Sequence, residues 1–171
     1  MTLQELAQIL GGLGVIASMI YVGIQIRNNA RAVRASTYNQ VSNSFISHWE
    51  GLAHNPETLS VMLRGGKDFA SLDDNVELSR YYLFVMAAMR RFENAWFQYK
   101  VGVLKETDWH AIAYDMDSLF ANYPGTRMAW DGIKNRSSVE FRKYDDEVSK
   151  RQAAAAPPPP PVPPAKRKVK K

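Results

Sequence analysis

Cysteine is absent from the 171 residues, which excludes a disulfide framework, a thiolate zinc centre and a cysteine nucleophile. Proline is almost absent from the body of the chain: seven of the nine prolines stand in the last fifteen residues, and Pro56 and Pro124 are the other two. Long stretches therefore lack their strongest helix breaker. Charge of one sign is missing as well. Residues 1–165 hold 17 Lys and Arg against 17 Asp and Glu, and the whole net charge of +5 comes from Lys166, Arg167, Lys168, Lys170 and Lys171. A globally basic nucleic-acid binder is excluded, and no nucleic-acid partner is expected. No segment shows the alternation of a strand, so the expected class is all-α, with one domain the default at this length.

What is present first is an apolar run. Residues 6–26 carry no charge, and only Gln8, Ser18, Tyr21 and Gln25 bring polar side-chain groups. As a helix this run is about 31 Å long, enough to cross a hydrocarbon core of about 30 Å. A signal peptide needs a basic start and a small-residue cleavage site, whereas Glu5 is the charged residue ahead of the run and Gln25-Ile26-Arg27 follows it. A buried helix of a soluble protein is the other competitor, because four glycines dilute the run. The expectation is a transmembrane helix at 6–26.

The flanks set its direction. Arg27, Arg31 and Arg34 follow the run, with no acidic residue before Glu50. By the positive-inside rule the N-terminus, residues 1–5, faces out and residues 27–150 form a cytoplasmic helical domain. Within the run, Ala7, Gly11, Gly14 and Ser18 fall on one helical face, which Gln25 continues. Such a face lets two helix backbones approach, so a membrane-protein partner or a second copy of the chain is expected along it.

Beyond the run the helical period persists. No Gly or Pro interrupts residues 24–50, so the span is expected to run on, with a break at Asn28-Asn29, into an amphipathic helix ending near His54. Asn55-Pro56 reads as a cap with proline at the first helical position, opening a short helix that stops at Gly65-Gly66. Asp74-x-x-Glu77 is a capping box for a helix reaching Lys100 and ending at Gly102. Thr107-Asp108 starts another, which Tyr123-Pro124-Gly125 breaks. A short helix follows around residues 128–133, and Ser137-x-x-Glu140 caps the last. The helix over 80–100 is apolar on more than one face and is expected at the centre of the bundle. Arg90, Arg91, Glu93, Asn94 and Gln98 are embedded in it, and read either as an internal polar network or as a pocket. Trp49, Trp96, Trp109 and Trp130 all fall on expected inner faces.

The run Ile20-Tyr21-Val22-Gly23-Ile24-Gln25-Ile26-Arg27-Asn28-Asn29-Ala30-Arg31-Ala32-Val33-Arg34-Ala35-Ser36-Thr37, with Arg91-Phe92-Glu93-Asn94, Gln98-Tyr99 and Phe141-Arg142, resembles a group of small bacterial single-span membrane proteins with a helical cytoplasmic part. The resemblance covers roughly residues 5–148. That group has no assigned activity, so the likeness implies bacterial inner-membrane topology and transfers no catalytic residue.

Chemistry is sparse. His48, His54 and His110 do not form a ligand set, no Glu-x-x-His pair occurs, and Asp115 and Asp117 point to different helix sides. Gly11-Gly12-x-Gly14 has neither a preceding strand nor a following Lys-Ser/Thr, so it is no phosphate loop. No cofactor and no metal is expected. From 151 to 171 the chain is expected to be a disordered, proline-rich linker ending in the basic cluster, which would contact anionic lipid. The reading that results is a non-catalytic, membrane-anchored adaptor or accessory subunit. The alternative is a sensor that takes up a small apolar or anionic ligand in its bundle. An enclosed pocket favours the second, an exposed apolar patch the first.

Overall fold

The structure, a computed structural model, describes residues 2–72 and 74–155, the side chains of 151–155 excepted. Among them are six α-helices: α1 (Leu3–Ala53), α2 (Pro56–Lys67), α3 (Asn75–Lys100), α4 (Glu106–Asn122), α5 (Pro124–Ile133) and α6 (Val139–Ala155). No strand occurs among the described residues, so the chain is all-α as its pattern requires. Two compact units divide it, one through Ser137 and one from Ser138. The basic tail with Lys166, Arg167, Lys168, Lys170 and Lys171 lies outside the described residues.

Local chemistry explains where most helices begin. Thr2 and Glu5 close a capping box on α1, with the Thr2 amide donating to the Glu5 carboxylate at 2.8 Å. Asn55 Oδ1 accepts from the Thr58 amide at 2.9 Å, with Pro56 at the first helical position of α2. Asp74 Oδ1 accepts from the Glu77 amide at 2.7 Å to open α3. Glu77 does not reach back to complete the box. Its carboxylate pairs with Arg64 instead, and Arg64 also donates to the Ser71 carbonyl at 3.0 Å, tying the end of α2 to the start of α3. Gly102 ends the next turn with φ +76°, a conformation that a side chain would oppose.

Several expected boundaries move, among them the start of α5, which begins at Pro124 instead of near residue 128 because proline suits the first helical position. The break at Asn28-Asn29 does not occur: α1 is continuous, about 77 Å long at 1.5 Å per residue. Asparagine inside a helix costs only a fraction of a kcal/mol, far less than proline. Gly65-Gly66 does not stop α2, which runs on to Lys67. These glycines serve a close approach: a Cβ on Gly125 would overlap the Gly65 carbonyl oxygen, and one on Gly66 would stand 2.7 Å from the Tyr123 ring. α4 begins at Glu106 with Lys105 as its cap, not at Thr107-Asp108. At the last helix Ser138, rather than Ser137, accepts from the Phe141 amide at 3.4 Å. That helix then passes residue 150 and ends at Ala155, carried by the strong helix propensity of its alanines.

The unit through Ser137 is built around α3, which packs against α1, α2, α4 and α5. Tyr81, Val85, Ala88, Met89, Phe92, Ala95 and Trp96 of α3 are buried, covering more than one face. The central role expected for this helix is therefore met. Trp109, Ala113, Met116 and Phe120 line the inner face of α4, and Ala129 and Trp130 that of α5. Tyr81 and Thr126 share a buried hydroxyl–hydroxyl hydrogen bond of 3.0 Å between α3 and α5. Burial raises the Tyr81 pKa above its ordinary value, against the opposing pull of that bond. In the other unit, the Phe141 ring stacks on Tyr144 with centroids 6.3 Å apart. Trp49 departs from its expected inner position, with 51% of its surface exposed.

Candidate functional site

The tip of α1 carries Phe45, His48, Trp49 and Leu52, spaced so that they share one side of the helix. They face α3 across a cavity of about 240 Å³. From α3 come Tyr81, Phe84, Val85, Ala88 and Phe92; from α2, Leu59, Met62 and Leu63; Leu119, Tyr123, Thr126 and Asp115 complete the lining. Leu59, Leu63 and Trp49 are partly exposed at 36%, 45% and 51%, marking the side on which the cavity opens. An apolar cavity of about 150 Å³ already admits a benzene ring, so this one has room for a larger apolar group.

His48 is the polar group of most interest in this lining. Its ring stacks on Phe84 with centroids 4.0 Å apart and an interplanar angle of 21°. Its Nε2 is buried and has no hydrogen-bond partner among the described residues. Burial, and after it the positive charge of Arg91, lowers the His48 pKa from 6.5 to about 4. The imidazole is therefore neutral near pH 7 and able to make one further hydrogen bond at Nε2. Arg91 is itself held by the Ser44 carbonyl at 2.7 Å and the Ala87 carbonyl at 2.6 Å, which links α3 to α1 just before His48. Burial lowers the Arg91 pKa from its ordinary value. No Lys or Arg lines the cavity, and Asp115 is its one carboxylate.

The residues singled out from sequence do not converge on this cavity. Arg90 pairs with Glu93 at 2.8 Å and donates to the Arg136 carbonyl. Arg91 is engaged as described, Asn94 is exposed, and no bond joins Asn94 to Gln98. None of the five lines the apolar cavity. Ala7, Gly11, Gly14, Ser18 and Gln25 all lie exposed on α1; Gly11, Gly14 and Ser18 line a shallow groove with Val22 and Gly23. The Ser18 hydroxyl is spent within the helix, donating to the Gly14 carbonyl at 2.8 Å. Arg27, Arg31 and Arg34 are exposed farther along the same helix. His54 caps the end of α1, and His110 lies 3.4 Å from Glu106.

Sequence reading missed His48 and Phe84 as site residues. Their one signal was His48 within the Phe45, Trp49 and Leu52 pattern, and that pattern is equally the inner face of any packed helix. No family model matches the chain, and neither the curated proteins nor the solved structures contain a match to it.

Proposed function

We propose that this chain is a non-catalytic binding module of the bacterial inner membrane: residues 6–26 span the bilayer with the N-terminus outside, and the cytoplasmic helical domain takes up a small, uncharged, largely apolar ligand. The observation that carries the binding reading is the apolar cavity with the buried, unpartnered Nε2 of His48 in its wall. A ligand hydroxyl or carbonyl would satisfy that nitrogen, and the apolar remainder would gain about 25 cal/mol per Å² removed from water. The missing cation and the carboxylate of Asp115 argue against an anionic ligand. The anchoring reading is supported by one long apolar helix at the N-terminus whose 18-residue apolar window is 0% buried.

A second reading keeps the chain as an adaptor or accessory subunit. It is favoured by the groove along Gly11, Gly14 and Ser18, where nothing lies within 4 Å of a Cβ built on either glycine. A partner helix or a second copy would find close backbone approach there. The two readings are compatible in one molecule.

The test of the first is calorimetric titration of naphthol, an uncharged aromatic alcohol, into the full chain in nanodiscs, with empty nanodiscs subtracted. Saturable uptake that Ala88→Leu abolishes is the expected result, because Ala88 lines the cavity and a larger side chain fills it. Uptake that matches empty nanodiscs would overturn it.

A further inference from the structure

A second hollow, of about 490 Å³, lies between α1 and the turn that joins α3 to α4. Its charged lining is Arg31 and Arg34 from α1 and Lys105 from the turn, with Asp108 the one acidic group; Tyr38 adds a hydroxyl. None of the three cations has an ion pair or side-chain hydrogen bond among the described residues. Like charges gathered without a counterion repel one another, and an anion placed among them relieves that repulsion. The turn is firmly held. The amides of Val103 and Leu104 both donate to the Gln98 carbonyl, at 3.0 and 2.9 Å, and Leu104 is only 3% exposed. The backbone at Lys105 is thereby held where its side chain shares the hollow with α1.

Position along α1 says which anion is near. At about 1.5 Å per residue, Arg31 stands about 7.5 Å and Arg34 about 12 Å beyond Ile26, against a headgroup layer of roughly 5–7 Å on each face of a bilayer. Long arginine stems let their guanidinium groups extend toward that layer. We propose that Arg31, Arg34 and Lys105 form a binding site for the phosphate of an anionic phospholipid headgroup, seating the α3–α4 turn on the membrane surface. This rests on the reading of residues 6–26 as a span. The guanidinium groups offer paired donors that match phosphate oxygens, and the lysine adds a compact charge. Asp108 opposes binding, leaving three positive charges against one negative.

Native mass spectrometry of the full chain released from nanodiscs of phosphatidylcholine, with and without phosphatidylglycerol, reads retained lipid directly. Selective retention of phosphatidylglycerol is expected, falling about fivefold for each cation removed in Arg31→Ala, Arg34→Ala and Lys105→Ala. Arg31→Lys with Arg34→Lys keeps the charge and is expected to keep most of the retention. Deleting residues 166–171 is expected to leave it unchanged, which separates this site from diffuse attraction by the tail. Equal retention in wild type and the triple alanine variant would overturn the site. Displacement of the lipid by millimolar inorganic phosphate would overturn the lipid as the source. Alkaline carbonate extraction of the same variants keeps the premises apart. A chain released by carbonate contradicts the span, whereas a chain that stays embedded without selective lipid contradicts the site alone.

Discussion

Residues 3–36 and residues 41–53 belong to the same uninterrupted helix α1, yet they meet opposite surroundings. The first stretch leaves every described side chain exposed, including Leu10, Leu13, Ile16 and Met19 at 61%, 57%, 56% and 70%. The second seats Val41 and Phe45 in the core at 2% and 6% exposure, while its other face stays open to solvent. Helix propensity does not separate the two; the distribution of apolar residues around the axis does. A stripe asks for a protein neighbour, whereas apolarity on all sides asks for an apolar solvent. With the proposed span, one helix would change solvent along its length, and the arginines at 27, 31 and 34 would stand at the change.

Substitutions sharpen this contrast. The largest effect is expected for Phe45→Ala, which removes a ring 4.9 Å from that of Phe92. A loss of about 3–5 kcal/mol in the denaturant unfolding of the full chain in detergent, read by tryptophan fluorescence, is expected. Leu13→Ala, on the same helix, is expected to leave that transition where it is. Next comes the pair Gly125→Ala and Gly14→Ala. The first forces α5 off the Gly65 carbonyl at a cost of about 1–3 kcal/mol. The second adds a methyl where nothing lies within 4 Å, and is expected to be silent in the unfolding of the domain.

A smaller, pH-dependent effect belongs to His48. Its native pKa of about 4 lies below the ordinary 6.5, so between those values the unfolded chain holds the extra proton. Stability from this group is complete above pH 6.5, falls as pH drops toward 4, and falls no further below it. Unfolding midpoints across that window are expected to decline in the wild type and to flatten in His48→Phe. The smallest effect is expected at the exposed pair Lys134–Asp131, 2.9 Å apart. Asp131→Ala is expected to cost less than about 0.5 kcal/mol in the same unfolding assay.

How far the sequence foretold all this varies with the kind of signal. Caps and breakers were readable because they act within three or four residues: Asn55-Pro56, Asp74 and Gly102 all do locally what their types favour. The central place of α3 was readable from its two apolar faces. Gly65-Gly66 misled, because a glycine that lets another helix approach looks the same in sequence as one that ends its own; only Gly125, sixty residues away, tells them apart. The cavity was hidden for a related reason. His48, Phe84, Met62 and Thr126 come from four helices, and a void between packed faces leaves no periodicity of its own. Arg90, Glu93 and Asn94 suggested a pocket by their polarity, but that polarity is spent on neighbouring side chains, a carbonyl and solvent.

The contrast along α1 is best tested by using the chain's lack of cysteine. Single cysteines introduced one at a time over residues 2–53 can each be labelled with a membrane-impermeant maleimide in sealed inside-out vesicles and again after detergent. Positions 6–26 are expected to stay unlabelled until detergent is added, position 2 to label only after the vesicles are opened, and positions 27–36 to label at once. Prompt labelling of positions such as 10, 13 and 16 in sealed vesicles would contradict a change of solvent along the helix and, with it, the membrane anchor.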